Sequence, residues 1–158
     1  MGYVGASVKR VDDPRVLTGR GRYVDDLALP RMLQAAFVRS PYPHARIRAV
    51  RLDAARRAPG VVGILTGEEA AALCRPYRGI LAHYRGMKTG AMLPLARGRV
   101  RTVGEPVVAL AAESRVQAED AAARVGVDYE PLPAVLSPDQ ALAPDAPLIH
   151  EELGDNLI

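Results

Sequence analysis

The sequence predicts an α+β or mixed α/β domain built from short elements, and three observations lead there. Four helix-start signatures alternate with short aliphatic runs in the order β-β-α-β-α-β-β-α-β-α. That order mixes hairpin-like with crossover connections, which suits such a domain better than a doubly wound nucleotide-binding fold. The apolar material is also small: 26 Ala, 17 Val, 17 Leu and 5 Ile stand beside one Phe and no Trp, so short aliphatic side chains must form the core. At 158 residues and 49% hydrophobic content the chain is too apolar for disorder. A single cysteine, Cys74, excludes an internal disulfide framework and a four-cysteine zinc site. No apolar run approaches the ~20 residues of a membrane span. The opening Met1-Gly2-Tyr3-Val4-Gly5 turns charged at Lys9-Arg10, unlike a secretory signal. A soluble, cytoplasmic domain is expected.

The elements follow in order. Met32–Val38 and Ile47–Leu52 read as strands bracketing the loop Ser40-Pro41-Tyr42-Pro43-His44. Asp53-Ala54-Ala55-Arg56-Arg57 starts a helix that Pro59-Gly60 ends within two turns. Val61–Leu65 is a strand leading into a second helix, where Thr66 caps Glu68-Glu69 and an alanine run. Residues 74–98 read as a long irregular insert, the kind of segment that is often a functional or interface loop. Val100–Val103 and Pro106–Ala112 are strands flanking Gly104-Glu105. The best helix starts at Ser114-Arg115-Val116-Gln117; its stripe is Ala118, Ala121, Ala122 and Val125, with Gly126 expected at C′. Gly126–Glu130 is a further strand, and Ser137-Pro138-Asp139-Gln140 starts the last helix with Pro at N1. Poor alternation in several strands predicts a sheet covered on both faces.

Charge is divided along the chain. Residues 1–101 carry +12 and residues 102–158 carry −9, which leaves a net +3. A basic half can mark nucleic-acid binding, but Arg46, Arg48, Arg51, Arg56 and Arg57 have no interleaved aromatics to stack on bases. The expectation is a solvated basic face, or two halves that attract each other or a neighbour.

No self-sufficient active site is legible. Gly19-Arg20-Gly21 lacks the third glycine of a dinucleotide fingerprint, and Asp25-Asp26 would repel a phosphate, so it reads as a turn. His44, His83 and His150 have no metal-ligand companions at recognised spacing. No Gly-x-Ser-x-Gly elbow surrounds Ser7, Ser40, Ser114 or Ser137. Cys74 beside Arg75 reads as a lone, partly buried thiol. The carboxylate pairs Asp12-Asp13, Asp25-Asp26, Glu68-Glu69 and Glu151-Glu152 are neighbours whose side chains point apart.

Several segments together carry a resemblance. Arg10-x-Asp12-Asp13-Pro14-Arg15-x-Leu17-Thr18-Gly19-Arg20-Gly21-Arg22-Tyr23-Val24-Asp25-Asp26 precedes Leu29-Pro30-x-Met32-Leu33-x-Ala35-Ala36-Phe37-Val38-Arg39-Ser40-Pro41. Val103-Gly104-Glu105-Pro106-Val107-Val108-Ala109 and Val127-Asp128-Tyr129-Glu130-Pro131-Leu132-Pro133-Ala134-Val135 follow, and Ala146 to Asn156 closes the set. This is similar to the N-terminal α/β hammerhead domain of the molybdenum-binding large subunit of the xanthine dehydrogenase and aldehyde oxidase family. The bacterial branch with aerobic carbon monoxide dehydrogenase large chains is the most similar.

The resemblance implies an α+β hammerhead with a mixed sheet and short helices. It also implies an extended segment at 1–30, the hammerhead at 31–135, and a helix and linker at 136–158 leading toward cofactor domains. In the family the large subunit binds molybdopterin cytosine dinucleotide and works beside an FAD subunit and an iron–sulfur subunit with two 2Fe–2S clusters. The pterin loops and the glutamate base lie in later domains, so the resemblance carries no catalytic, cofactor or metal residue onto this chain. Alone, the chain is expected to be inactive. The partners implied are those later domains and the two other subunits, with no nucleic acid and no membrane. Val103-Gly104-Glu105-Pro106 is the segment expected to approach the rest of the subunit, with a tight hairpin as the plain alternative. A free-standing interaction or small-ligand-binding module on the same fold is the other reading.

Overall fold

Short-range capping chemistry sets most of the helices. A computed structural model describes residues 3–79 and 83–157, in two compact units, Met1–Met32 and Leu33–Ile158. The first unit contains one short helix, α1 (Asp13–Leu17), with Pro14 in its first turn. Its end is a Schellman turn: the Arg20 N–H donates to the Arg15 carbonyl (2.9 Å) and the Gly19 N–H to the Val16 carbonyl (3.1 Å), with Gly19 at φ +69°. A 3₁₀ turn follows at Val24–Asp26, where the Asp26 carboxylate accepts the Tyr23 N–H at 2.9 Å. No described residue of this unit is buried. Helix α1 was not expected from the sequence, although Pro14 and Gly19 mark its two ends.

The second unit runs β1 (Gln34–Arg39), β2 (Ala45–Arg51), α2 (Asp53–Arg56), β3 (Val61–Thr66), α3 (Gly67–Leu73), β4 (Arg99–Val100), β5 (Pro106–Ala112), α4 (Arg115–Ala122), β6 (Gly126–Pro131) and α5 (Pro138–Leu142). This is the order read from the sequence. Thr66 and Glu69 form a full capping box at α3, with reciprocal bonds of 3.3 and 2.8 Å. The Thr66 N–H and hydroxyl both donate to the Glu69 carboxylate and hold it below the usual carboxylate range. Ser114 accepts from the Gln117 N–H at α4, and Ser137 from the Gln140 N–H at α5. Helix α4 ends at Ala122, a turn before the expected Gly126. Gly126 instead starts β6 opposite Arg51, and a Cβ there would lie 3.1 Å from the Arg51 guanidinium.

The strands form two three-stranded antiparallel sheets, β1-β5-β3 and β4-β2-β6. β1 and β3 flank β5 and therefore run parallel to each other, which is how one mixed set of connections resolves into two antiparallel sheets. Only β5 shows burial on both sides, with Val107, Val108, Leu110 and Ala112 all at 2% exposure or less. β1 alternates half-buried and exposed residues, so the expectation of two covered faces fails there. Helix α4, with fully buried Ala118 and Ala121, packs against β1 and β5 of the first sheet. The main cluster joins both sheets through Ala45, Ala55, Ala58, Ala96, Val100, Val107, Val108, Leu110 and Ala121, the small-residue core that the composition demands.

The closest approach in this core is at Gly67. A Cβ there would stand 2.0 Å from the Ala96 carbonyl oxygen, where backbone cannot yield cheaply. Gly67→Ala is expected to cost roughly 2 to 3 kcal/mol, read from the urea midpoint. Gly63→Ala, which meets open space on β3, is expected to stay within about 0.5 kcal/mol of the wild type.

Candidate functional site

Two of the connections between the sheets, β1 to β2 and β4 to β5, are bonded to each other. β1 leaves the first sheet through Ser40–His44 to reach β2, and β4 leaves the second through residues 101–105 to reach β5. The Gly104 N–H donates to the Ser40 carbonyl (2.8 Å) and the Ser40 N–H to the Glu105 carbonyl (2.9 Å). Gly104 takes φ +83°, which admits glycine readily. The Ser40 hydroxyl, in a residue 2% exposed, accepts the Tyr42 N–H at 3.0 Å and donates to the Tyr42 carbonyl at 2.9 Å. Arg39 donates to the Gly104 carbonyl at 2.9 Å. Glu105 turns inward and accepts the Arg101 N–H at 2.5 Å. The alternative of a β4–β5 hairpin does not hold, because those strands belong to different sheets.

Around this junction lie the Tyr42 and Tyr129 rings, 5.2 Å apart, and burial pushes the Tyr129 hydroxyl pKa up. His44 donates through Nδ1 to the Pro133 carbonyl at 2.7 Å, and its carbonyl accepts the Leu132 N–H. A carbonyl only accepts, so Nδ1 carries a proton. Nε2 is buried without a partner among the described residues.

A second layer is the strap of residues 147–156. Arg101 Nε donates to the Ile149 carbonyl (3.0 Å), and Arg99 pairs with Glu151 (2.8 Å). Lys88 pairs with Asp155 (2.5 Å) and holds its carboxyl below the usual carboxylate range. The Asn156 side chain accepts the Ile149 N–H and donates to the Ala141 and Pro147 carbonyls. The His150 ring sits over Gly90, where a Cβ would be 2.5 Å from Nδ1. Two clefts open beside the Arg101–Ile149 bond. One, about 320 Å³, is lined by Ala91, Met92, Leu93, Glu105 and His150 among others. The other, about 470 Å³, is walled by Pro43, Val103, Val135, Leu136, Ala141 and Ile149.

The residues singled out in the sequence are placed as follows. Gly19 serves the cap of α1. Cys74 is exposed, not partly buried: it ends α3, beyond the packed turn, and its thiol donates to the Ala70 carbonyl at 3.0 Å. The acidic neighbours diverge to separate partners: Asp12 to Arg15 and Asp13 to Arg10, Glu68 to Arg97 and Glu69 to Thr66, Glu151 to Arg99 and Glu152 to His150. His44 lies at the junction, His150 on the strap, and His83 against Tyr84 with ring centroids 4.4 Å apart. Among the described residues no three His, Cys, Asp or Glu side chains gather to hold a metal ion. The arginines of β2 are partly spent within the fold, Arg48 on Glu130 and Arg51 on Asp128. The insert is pinned by the Tyr77–Met92 bridge and buries Leu95 and Ala96 at its end. Sequence reading missed Arg101, Ile149 and Asn156, whose importance lies in contacts across 48 and 7 residues of chain.

A family model for the aldehyde oxidase and xanthine dehydrogenase a/b hammerhead domain matches residues 18–133. The chain belongs to that family. It is 39% identical over 154 residues to a carbon monoxide dehydrogenase large chain of Afipia carboxidovorans, covering 98% of this chain and 18% of the relative. It is 41% identical to a nicotine 6-hydroxylase large subunit of Paenarthrobacter nicotinovorans, covering 98% and 19%. Quinoline 2-oxidoreductase from Pseudomonas putida 86 has the same fold at a TM-score of 0.83 and 43% identity, covering 90% of this chain and 18% of that one. The hammerhead domain thus spans under a fifth of the length of these relatives. No helix among the described residues is long and apolar enough to cross a membrane.

Two measurements test the strap of this hammerhead domain. Asp155 titrates below its ordinary value, so its pairing with Lys88 stabilises the fold above the unfolded carboxyl value and loses that effect as pH falls through the depressed one. The melting difference between the wild type and Lys88→Met is therefore expected to be full above pH about 5 and to vanish at lower pH; a flat difference from pH 2 to about 7 contradicts the pairing. Asn156→Ala strands three backbone groups and is expected to cost about 1 to 3 kcal/mol in chemical denaturation.

Proposed function

We propose that this chain is the N-terminal packing module of the large subunit of a molybdenum hydroxylase, an oxidoreductase inactive in this part alone. The observation that carries the reading is coverage: 98% of this chain aligns with only 18% of a carbon monoxide dehydrogenase large chain. The matched relatives include a xanthine dehydrogenase molybdenum-binding subunit of Escherichia coli and a solved Cu,Mo-CO dehydrogenase, which supports a molybdenum enzyme. The enzyme as a whole would oxidise substrate with oxygen from water, using molybdopterin cytosine dinucleotide in later domains and passing electrons to 2Fe–2S and FAD subunits. The expected division is an extended segment at 1–30, the hammerhead body at 31–135, and a helix and linker at 136–158. A cytoplasmic location goes with that reading.

The residues described here do not fit a pterin or molybdenum seat. The Gly-x-Gly turn is spent on capping α1, and the acidic pairs are bound elsewhere. No step of the reaction is therefore assigned to this chain. What its geometry supports is docking: a rigid small-residue core, a bonded junction carrying exposed Val103, and an acidic strap held by basic side chains.

The test is expression of the complete large subunit beside the 158-residue chain, with molybdenum measured by plasma mass spectrometry. The complete subunit is expected to hold molybdenum and the short chain to hold none and to show no turnover. Metal or turnover in the short chain alone overturns the reading.

A further inference from the structure

We infer that the 470 Å³ cleft receives an extended, uncharged apolar peptide segment from the rest of the subunit, with the outer N–H groups of Arg101 donating to one of its main-chain carbonyls. The inference deepens the functional reading above and rests on it. The walls set the side-chain chemistry. Pro43, Val103, Val135, Leu136, Ala141 and Ile149 line the cavity together with the polar Arg101, Thr102 and Asn156, and Val103 and Leu136 are left 62% and 78% exposed. Large aliphatic side chains clustered around a concavity mark a place where another surface packs.

Arg101 sets the polar contact. Its guanidinium is half-buried, and Nε is committed to the Ile149 carbonyl at 3.0 Å. The two Nη groups have no hydrogen-bond acceptor among the described residues. The planar fork leaves those donors on a fixed edge, a geometry suited to oxygen acceptors. Charge decides which oxygen. Glu105 already accepts the Arg101 backbone N–H, and the Arg101 charge also acts on Glu152. With these two carboxylates already near the cleft, a phosphate or an acidic side chain is disfavoured there. A neutral carbonyl satisfies the spare donors without adding charge, as the Ile149 carbonyl does on the same guanidinium.

A cleft lined mainly by aliphatic side chains suits a permanent rather than a transient contact. The relatives carry more than four-fifths of their length outside the matched region, and a covalently attached segment meets the cleft at high effective concentration.

The test places Val103→Asp and Leu136→Asp separately in the complete large subunit, with Val62→Asp, 59% exposed on β3, as the matched control. Each cleft variant is expected to lower the yield of folded subunit about tenfold, a change that burial of one aliphatic side chain can account for, and the control is expected to leave it unchanged. A photoreactive benzoylphenylalanine at Leu136 is expected to cross-link to an uncharged apolar stretch outside residues 1–158 of the same polypeptide. Equal loss from Val62→Asp, a cross-link to another subunit, to a second copy or to a charged stretch, or no cross-link at all overturns the inference. A complete subunit that cross-links as expected yet holds no molybdenum sinks the functional reading alone.

Discussion

Ser40 and the Gly104–Glu105 pair hold each other through two backbone hydrogen bonds at the point where the chain passes between its sheets. Each connection, taken alone, is a loop with unpaired amides in a crowded place. Together they satisfy those groups, and Ser40 is buried in the process. The bond pair sets where β5 enters the first sheet and where β4 leaves the second. It thereby sets the positions of Arg99 and Arg101, on which the strap and the larger cleft both depend. A small core cannot supply this positioning by shape alone, because alanine and valine offer little interlocking volume. Directional bonds do it instead.

The divided charge of the chain acts within the fold. Among the described residues four ion pairs join the basic first part to the acidic last part: Arg48–Glu130, Arg51–Asp128, Lys88–Asp155 and Arg99–Glu151. Most of these side chains are substantially solvent-exposed, so each pair contributes modestly to stability. Their effect is on register and placement. Two fasten β6 along β2, and two seat the strap over the insert and β4. Arg99, whose side chain is 15% exposed, is the most sheltered cation of the four and anchors the strap at its 3₁₀ turn.

A hammerhead domain built this way is suited to packing. Many of its polar groups hold its own segments together, and it also leaves apolar side chains open: Val103 and Leu136 at the cleft, and Phe37 on the exposed side of β1 beneath Arg39. The family places such a domain within much longer polypeptides, and the chain matches less than a fifth of each relative reported above.

Capping was legible in the sequence because it is local: Thr66 with Glu69, Ser114 with Gln117 and Ser137 with Gln140 each act within three residues. The order of elements and the aliphatic core followed from the same short-range patterns and from composition. Strand partnership was not legible. β1 and β2 are neighbours in sequence yet belong to different sheets, since pairing is decided by which faces can be buried together. Arg101, Ile149 and Asn156 carry no local signature either, because a guanidinium and a carbonyl 48 residues apart meet only after the sheets are packed. The sequence by itself determined the four helices of the second unit, the small core and the family resemblance; tertiary structure alone decided the sheet crossings, the strap and the cleft, because long-range hydrogen bonds join groups that no nearby pattern connects.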